Sequence, residues 1–295
     1  MRQWLGKVRW LLVVMALLGG KVMAASEASE LDSALARLEQ QHHGRLGLAY
    51  IDSGSGESYS YRGEERFAFC STFKAVLAGA VLQRSVSQPG LLDKQVHYAA
   101  TDLLAYAPIT KTHLDKGMRI GELAAAAVQY SDNTAANLLL QEIGGVQALN
   151  RFVQGLGDPA FRLDRIEPHL NSAEPGDVRD TTTPLAMAHT LQAMTLGKGL
   201  PQAQQAQLIS WLKGNTTGAQ SIQAGVPAGW QVGDKTGAGS YGTTNDIAIL
   251  WPEQGAPKVL AIYFTQPAAD AQANRAILAE ATRLVLQDKN INKIK

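Results

Sequence analysis

The 295-residue chain is short of several things at once. It has a single cysteine, Cys70, which rules out an intrachain disulfide and any Cys-rich zinc or iron–sulfur centre, so packing alone must hold the fold. It has no surplus of either charge: Lys and Arg number 27 against 26 Asp and Glu, a formal net of +1. No basic stripe is present that could neutralise a run of phosphates, which speaks against nucleic acid as a partner. Its six histidines, His42, His43, His97, His113, His169 and His189, offer no His-x-His or His-Glu-x-x-His spacing, so neither a metal nor a cofactor is expected. No internal repeat or low-complexity linker divides the chain. What is there is ordinary globular usage, 45% hydrophobic and 18% charged, enough for a large core and incompatible with disordered or fibrous classes.

The first residues read as an address and not as part of the fold. Arg2, Lys7 and Arg9 precede an apolar run from Trp10 to Leu18, and Val22-Met23-Ala24 supplies small residues where a signal peptidase cuts. Gly19, Gly20 and Lys21 end the run well short of the roughly 20 apolar residues that span a membrane. Residues 1–24 are therefore expected to be a signal peptide, and the mature chain a soluble periplasmic monomer with no membrane partner. Cleavage removes four basic side chains and no acid, leaving 23 against 26, a net of −3. Such a chain has no electrostatic attraction to anionic lipid. The tail lysines Lys289, Lys293 and Lys295 read as a solvated end.

Periodicity divides the remainder into three parts. Leu31, Leu35 and Leu38 share one face of an opening helix that His42-His43-Gly44 ends, with glycine at the cap. Strand-like runs from Leu46 to Asp52 and from Ser58 to Tyr61 flank the turn composition Ser53-Gly54-Ser55-Gly56. From Ser71 to about Leu212 the chain is mostly helical, as in Lys74 to Gln83, Ile120 to Gln129 and Thr134 to Ile143. Trp230 to Thr236, Thr243 to Trp251 and Lys258 to Phe264 then read as strands, and Asn274 to Leu286 as an amphipathic helix. Strands at both ends with helices between predict an α+β fold: an antiparallel sheet flanked by helices, built from 25–68 and 213–295, with an all-helical domain, 69–212, inserted. Function belongs at the seam.

Three short motifs fall in one order along the chain. Ser71-Thr72-Phe73-Lys74 opens a helix, so a hydroxyl and an amine three residues on share a face and can hydrogen-bond, while the helix N-terminus favours negative charge developing on an attacked carbonyl. Alone this is weak, because Ser210-Trp211-Leu212-Lys213 repeats the spacing with no chemistry around it. Ser131-Asp132-Asn133 lies between two helical runs and Lys235-Thr236-Gly237 on a late strand. A helix cap and a strand end would account for either one, but not for three matches in sequence. Cys70, beside the serine, reads as a small buried hydrophobe and not as a nucleophile.

The set Ser-x-x-Lys, Ser-Asp-Asn and Lys-Thr-Gly resembles that of class A serine β-lactamases and penicillin-binding proteins. The resemblance extends over the mature chain. Glu167-Pro168-His169-Leu170-Asn171 looks like the Glu-x-x-x-Asn segment of the class A Ω-shaped loop, flanked by Arg165 and Asp180 as a clamp; Tyr106 matches the aromatic rim, and Tyr241 to Asp246 the stretch after Lys-Thr-Gly. It implies that Ser71 is the nucleophile, that the backbone N–H groups of Ser71 and Ala238 form the oxyanion hole, and that Ser131 passes a proton to the departing ring nitrogen beside Lys74 and Lys235. Lys235, Thr236 and Gly237 would meet the substrate carboxylate, Asn133 the acylamino side chain, and Glu167 with Asn171 the deacylating water. Either Lys74 or Glu167 could activate Ser71.

Departures from the family pattern bear on substrate. No second cysteine follows Lys-Thr-Gly, where Ala238-Gly239-Ser240 stands, which disfavours the disulfide-bearing carbapenemase type. Thr244 occupies the place of a carboxylate-binding arginine, for which Arg275 can substitute. That combination resembles the branch that includes the cefotaximases, although Ala238 stands where those commonly have serine. The expected activity is hydrolysis of penicillins and cephalosporins, giving antibiotic resistance. A DD-peptidase and a β-lactam-sensing receptor are the alternatives. The first is opposed by Glu167, and the second needs a membrane span to pass its signal inward.

Overall fold

The computed structural model describes residues 29–288 and 291; the expected signal peptide, 1–24, and the tail lysines Lys289, Lys293 and Lys295 lie outside them. Helix α1 (Glu30–Gln41) starts at a capping box: Ser29 Oγ accepts from the Asp32 N–H, and the Asp32 carboxylate accepts from the Ser29 N–H. Its buried face is Leu31, Leu35 and Leu38, as the 3.6-residue period requires. Its end differs from expectation. The left-handed residue is His43, at φ +50°, and not Gly44. Gly44 answers a different demand, since a Cβ there would sit 2.3 Å from the Phe264 ring and 2.6 Å from the Thr265 carbonyl oxygen.

Strands β1 (Arg45–Asp52) and β2 (Ser58–Tyr61) form a hairpin. After β3 (Phe67–Ala68) come helix α2 (Phe73–Ser87), the short strands β4 (Gln95–Val96) and β5 (Met118–Arg119), and helices α3 (Ile120–Gln129), α4 (Asn133–Ile143) and α5 (Val146–Gly155). Strand β6 (Thr181–Thr182), α6 (Pro184–Thr195) and α7 (Gln202–Lys213) precede β7 (Gln231–Ala238), β8 (Thr244–Trp251), β9 (Lys258–Thr265) and α8 (Arg275–Gln287). The main sheet is antiparallel in the order β2-β1-β9-β8-β7. Both ends of the chain therefore build it, which is the α+β arrangement expected.

Alternation along each strand sorts side chains into two cores. Leu46, Leu48 and Tyr50 of β1, Leu260, Ile262 and Phe264 of β9 and Ala248 and Leu250 of β8 pack with Leu35, Ile277, Leu278 and Val285 of the terminal helices. The intervening Ala49, Ile51, Val259, Ala261, Tyr263, Ile247 and Ile249 face the central helices. With both faces covered, β1, β8 and β9 read as unbroken buried runs, a pattern more usual in parallel sheets. Helix α6, from the helical stretch, lies against β1 and β9.

Helix α2 is the axis of the helical layer. Its residues Phe73 to Leu82 are buried without a break, Lys74 among them, so this part of the helix is covered on every side and not amphipathic. Its N-terminal end abuts β7: a Cβ on Gly237 would lie 2.8 Å from the Phe69 carbonyl oxygen and 3.1 Å from the Ser71 nitrogen. The seam between sheet and helices thus falls at the start of the first motif.

The corrected end of α1 is testable. Gly44→Ala is expected to cost about 1–3 kcal/mol through the clash with Phe264. His43→Gly, which relieves a left-handed side chain, should stay within about 1 kcal/mol of the parent. Urea midpoints check both, and a Gly44→Ala variant as stable as the parent would show that the Phe264 contact does not require glycine there.

Candidate active site

The first motif is presented by an irregular turn. Cys70 has φ +46° and begins a 3-10 turn, Cys70–Thr72, that feeds α2. Asn245 of β8 ties that turn to the sheet, its side-chain amide donating to the carbonyls of Ala68 (2.8 Å) and Phe69 (3.1 Å). The Cys70 thiol is wholly buried, and burial, with Glu167 and Asp180 nearby, pushes its pKa up. It stays a neutral thiol beside the serine.

Ser71 Oγ donates to Glu167 Oε1 at 3.3 Å, and Lys74 Nζ pairs with the same oxygen at 2.9 Å, both charged side chains being fully buried. The ammonium also donates to Asn133 Oδ1 (2.5 Å), the Ser131 carbonyl (2.8 Å) and Ser131 Oγ (3.5 Å). The direct Ser71–Lys74 hydrogen bond expected from their spacing is not among these; the carboxylate stands between the two groups. A buried ammonium gains most from a carboxylate and from carbonyl oxygens, so these outcompete a neutral hydroxyl. Burial lowers the Lys74 pKa, and Glu167 works against that fall.

Besides Ser71 and Lys74, two side chains bond Glu167, and a clamp fixes the loop that carries it. The side-chain amide of Asn137, on α4, accepts from the Glu167 N–H at 3.1 Å and donates to its carbonyl at 2.9 Å. Asn171 Nδ2 donates to Glu167 Oε2 at 2.5 Å, while Asn171 Oδ1 is buried and meets no partner among the described residues. The flanking clamp is present: Arg165 Nε donates to Asp180 Oδ2 at 2.5 Å, and Asp180 Oδ1 accepts from the N–H groups of Asp164 (2.7 Å) and Arg165 (2.9 Å).

The second motif serves as a cap and as part of the site together. Asp132, wholly buried, caps α4 by accepting from the Ala135 N–H (2.9 Å) and also from the N–H groups of Ile109 (3.0 Å) and Thr110 (2.9 Å) and the Thr110 hydroxyl (3.0 Å). With the backbone so fixed, Ser131 takes φ +58°, and the Asn133 N–H donates to the Tyr106 carbonyl at 3.0 Å. From the third motif, Lys235 Nζ reaches Ser131 Oγ at 3.1 Å and the Thr236 carbonyl at 2.8 Å. Lys235 is fully buried, and burial together with the Lys74 charge brings its pKa down to about 7.

These residues converge on a cleft of about 320 Å³. Ser71, Ser131, Asn133 and Asn171 line it with Thr236, Gly237, Ala238, Tyr106 and Arg275, whereas Lys74, Glu167 and Lys235 of the expected set are buried and do not line it. Strand β7 is the sheet edge here, so alternate N–H groups on it are free of the ladder. Arg275 is the first residue of α8, and Thr244 explains how it is aimed: the Thr244 hydroxyl donates to the Gly242 carbonyl (2.8 Å) and accepts from the Asn274 N–H (2.9 Å). Four contributors escaped the sequence reading. Thr217, whose hydroxyl meets that of Thr236 at 2.5 Å, and Ser221 line the cleft, while Asn137 and Asn245 position its parts. Signals existed for Asn137, which lies one helical turn beyond Asn133, and for Asn245, which falls in the Tyr241 to Asp246 stretch that matches the family.

Asp132→Ala would leave three backbone N–H groups and a hydroxyl unpaired inside the protein. A stability loss of about 3–5 kcal/mol is expected, read as a lower thermal midpoint, with Asp132→Asn losing less. A variant as stable as the parent would show that the cap is dispensable.

A family model described as the β-lactamase enzyme family matches residues 30–288. β-Lactamase OXY-1 of Klebsiella oxytoca is 53% identical over 275 residues, 93% of this chain and 94% of its own. β-Lactamase CTX-M-8 of Citrobacter amalonaticus is 52% identical over 270 residues, 92% of this chain and 93% of its own. The crystal structure of a β-lactamase from Desulfarculus baarsii superposes with a TM-score of 0.86 at 50% identity, over 88% of this chain and 97% of that one. The Ser71 turn, the buried lysines, the Glu167 loop and these likenesses agree: the chain belongs to the β-lactamase enzyme family, in its class A serine branch.

Proposed function

We propose that this enzyme hydrolyses the β-lactam ring of penicillins and cephalosporins through a Ser71 acyl-enzyme, conferring antibiotic resistance. The observation that carries the reading is the Ser71–Glu167–Asn171 arrangement. A carboxylate lies within hydrogen-bond reach of the nucleophile, and a buried Asn171 oxygen beside it lacks a partner among the described residues. That is a setting for a water held between Glu167, Asn171 and the ester, the element that separates a hydrolase from an enzyme that stays acylated.

Ser71 Oγ attacks the ring carbonyl, giving up its proton to the Lys74–Glu167 pair. The backbone N–H groups of Ser71 and Ala238 take the negative charge. As the C–N bond breaks, the nitrogen receives a proton through Ser131, whose hydroxyl lies between Lys74 and Lys235. Lys235, Thr236 and Arg275 meet the drug carboxylate, Asn133 its acylamino group, and Tyr106 its rim. Water, deprotonated by Glu167, then cleaves the ester and restores the Ser71 hydroxyl. Export to the periplasm after removal of residues 1–24, and action as a monomer without membrane association, complete the reading; the basic start and apolar run support it, and N-terminal sequencing of the fractionated protein tests it.

With excess benzylpenicillin, the parent enzyme should consume drug far beyond stoichiometry and return to its native mass. Glu167→Ala should accumulate a one-to-one adduct, and Ser71→Ala should form none. A persistent adduct on the parent would move the function to a penicillin-binding peptidase or receptor. The pH dependence follows from Lys235, which is charged below its pKa of about 7. The value of kcat/KM for an anionic drug should fall as pH rises through that region. In the complex the bound carboxylate favours the ammonium, so the matching limb in kcat should lie at higher pH. A kcat/KM flat through this range would remove Lys235 from carboxylate binding.

A further inference from the structure

The two histidines that end α1 have no task in the mechanism above, and one of them touches the residue before Arg275. The stripe Leu31, Leu35 and Leu38, which packs α1 with Ile277 and Leu278 of α8, continues to His42, four residues beyond Leu38. The His42 N–H donates to the Leu38 carbonyl at 3.2 Å, so the last turn of the helix holds the residue in place. Its imidazole meets the far end of the chain: the Asn274 side-chain amide donates to His42 Nδ1 at 2.9 Å.

Asn274 stands at the N-cap of α8, where asparagine ordinarily turns its side-chain oxygen onto an N–H of the first turn. Here it makes no such bond. The side chain is given over to His42, and the backbone N–H donates to the Thr244 hydroxyl at 2.9 Å. These two contacts, one to the end of α1 and one to β8, pin the residue from which α8 starts. Residues 266–273 before it belong to no helix or strand, so no preceding element holds that start.

Arg275 comes next. Its exposed side chain lines the cleft with Thr244 and makes no hydrogen bond or ion pair among the described residues. The direction of the guanidinium is therefore set by the backbone that carries it, and that backbone is held at Asn274. An asparagine that forgoes its own helix cap for a contact across 232 residues of sequence is placed for something other than the stability of its helix.

We propose that His42 is a positioning residue for the reaction: by keeping the Asn274 amide off the cap of α8, it fixes the first turn of that helix and with it the line along which Arg275 meets the acidic group of the substrate. It acts through Asn274 and Arg275, touching no substrate atom, and its role rests on the reading that Arg275 meets the drug carboxylate.

Steady-state kinetics with benzylpenicillin separate this role from a part in packing. His42→Ala loses one hydrogen bond, and kcat/KM should fall about threefold or more while kcat stays within about twofold. His42→Asn places an amide oxygen where Nδ1 stood and should recover at least about half of the parent value. Asn274→Ser exchanges the contact with His42 for a helix cap, so its melting temperature should stay within about 2 °C of the parent or rise while its kcat/KM falls as in His42→Ala. In an Arg275→Ala background, His42→Ala should change kcat/KM by less than about 1.5-fold, because the group it positions is gone.

A His42→Ala variant with the parental kcat/KM, a His42→Asn variant as impaired as His42→Ala, or the same loss from His42→Ala with and without Arg275 would overturn the proposal. So would losses that follow the melting temperature across the set, which is what packing alone would give. Arg275→Ala with kcat/KM intact would instead withdraw Arg275 from carboxylate binding and take the role of His42 with it. Hydrogen exchange reads the anchor without substrate: the Asn274 N–H should exchange about threefold faster or more in His42→Ala, and equal rates would show that the imidazole pins nothing.

Discussion

Keeping two ammonium groups charged away from water is the constraint around which the site is built. Lys74 and Lys235 are both fully buried, and a lone buried cation costs several kcal/mol unless oxygen surrounds it. The solutions differ. Lys74 receives the Glu167 carboxylate, a carbonyl and an amide oxygen. Lys235 receives a hydroxyl and a carbonyl, with nearby carboxyl groups favouring its charged form. Ser131 stands between the two lysines, and its left-handed backbone, the Asp132 cap and the Tyr106 contact all serve that placement.

The fold supplies rigidity where this arrangement needs it. Ser71 and Lys74 sit at the end of the most buried helix, Lys235 and Thr236 on a strand of the main sheet, and Ser131 and Asn133 at a capped helix start. Glu167 is the exception, because it rides on a loop. The loop is compensated by Asn137, which grips both backbone groups of Glu167, and by the Arg165–Asp180 pair. A carboxylate on a loop so tied can be as well oriented as one on a helix, with space left on one side for water.

Much of this was legible in the sequence, for a physical reason. A nucleophile with its lysine, a serine at a cap and a strand lysine with its threonine are local constellations that fixed spacing records, whereas the carboxylate with an asparagine four residues on was legible only through the family resemblance. Strand-like runs bounded by turn composition likewise recorded the sheet, and the three-leucine stripe recorded α1. Contacts between distant segments left no such trace. Asn245 bonding the carbonyls before Ser71, Thr217 meeting Thr236, and His42 meeting Asn274 depend on strand register and loop path, which the linear order of residues does not display. The partner of Lys74 was misjudged because spacing says who is near and not who binds best. Gly44 was misassigned because a glycine required by a neighbouring ring looks, in sequence, like one required by a turn.

The sheet has a consequence in time as well as in space. Strand β1 closes on β9, with Gly47 opposite Tyr263, so a strand made early waits for one made near the end of synthesis. The hairpin of β1 and β2 alone exposes two apolar faces and is at best marginally stable. Pairing at such sequence separation is slow and comes late. A nascent chain of this design therefore has no stable main sheet until nearly all of it exists, and its central helices must wait uncovered on their sheet-facing side for the last strands to close over them.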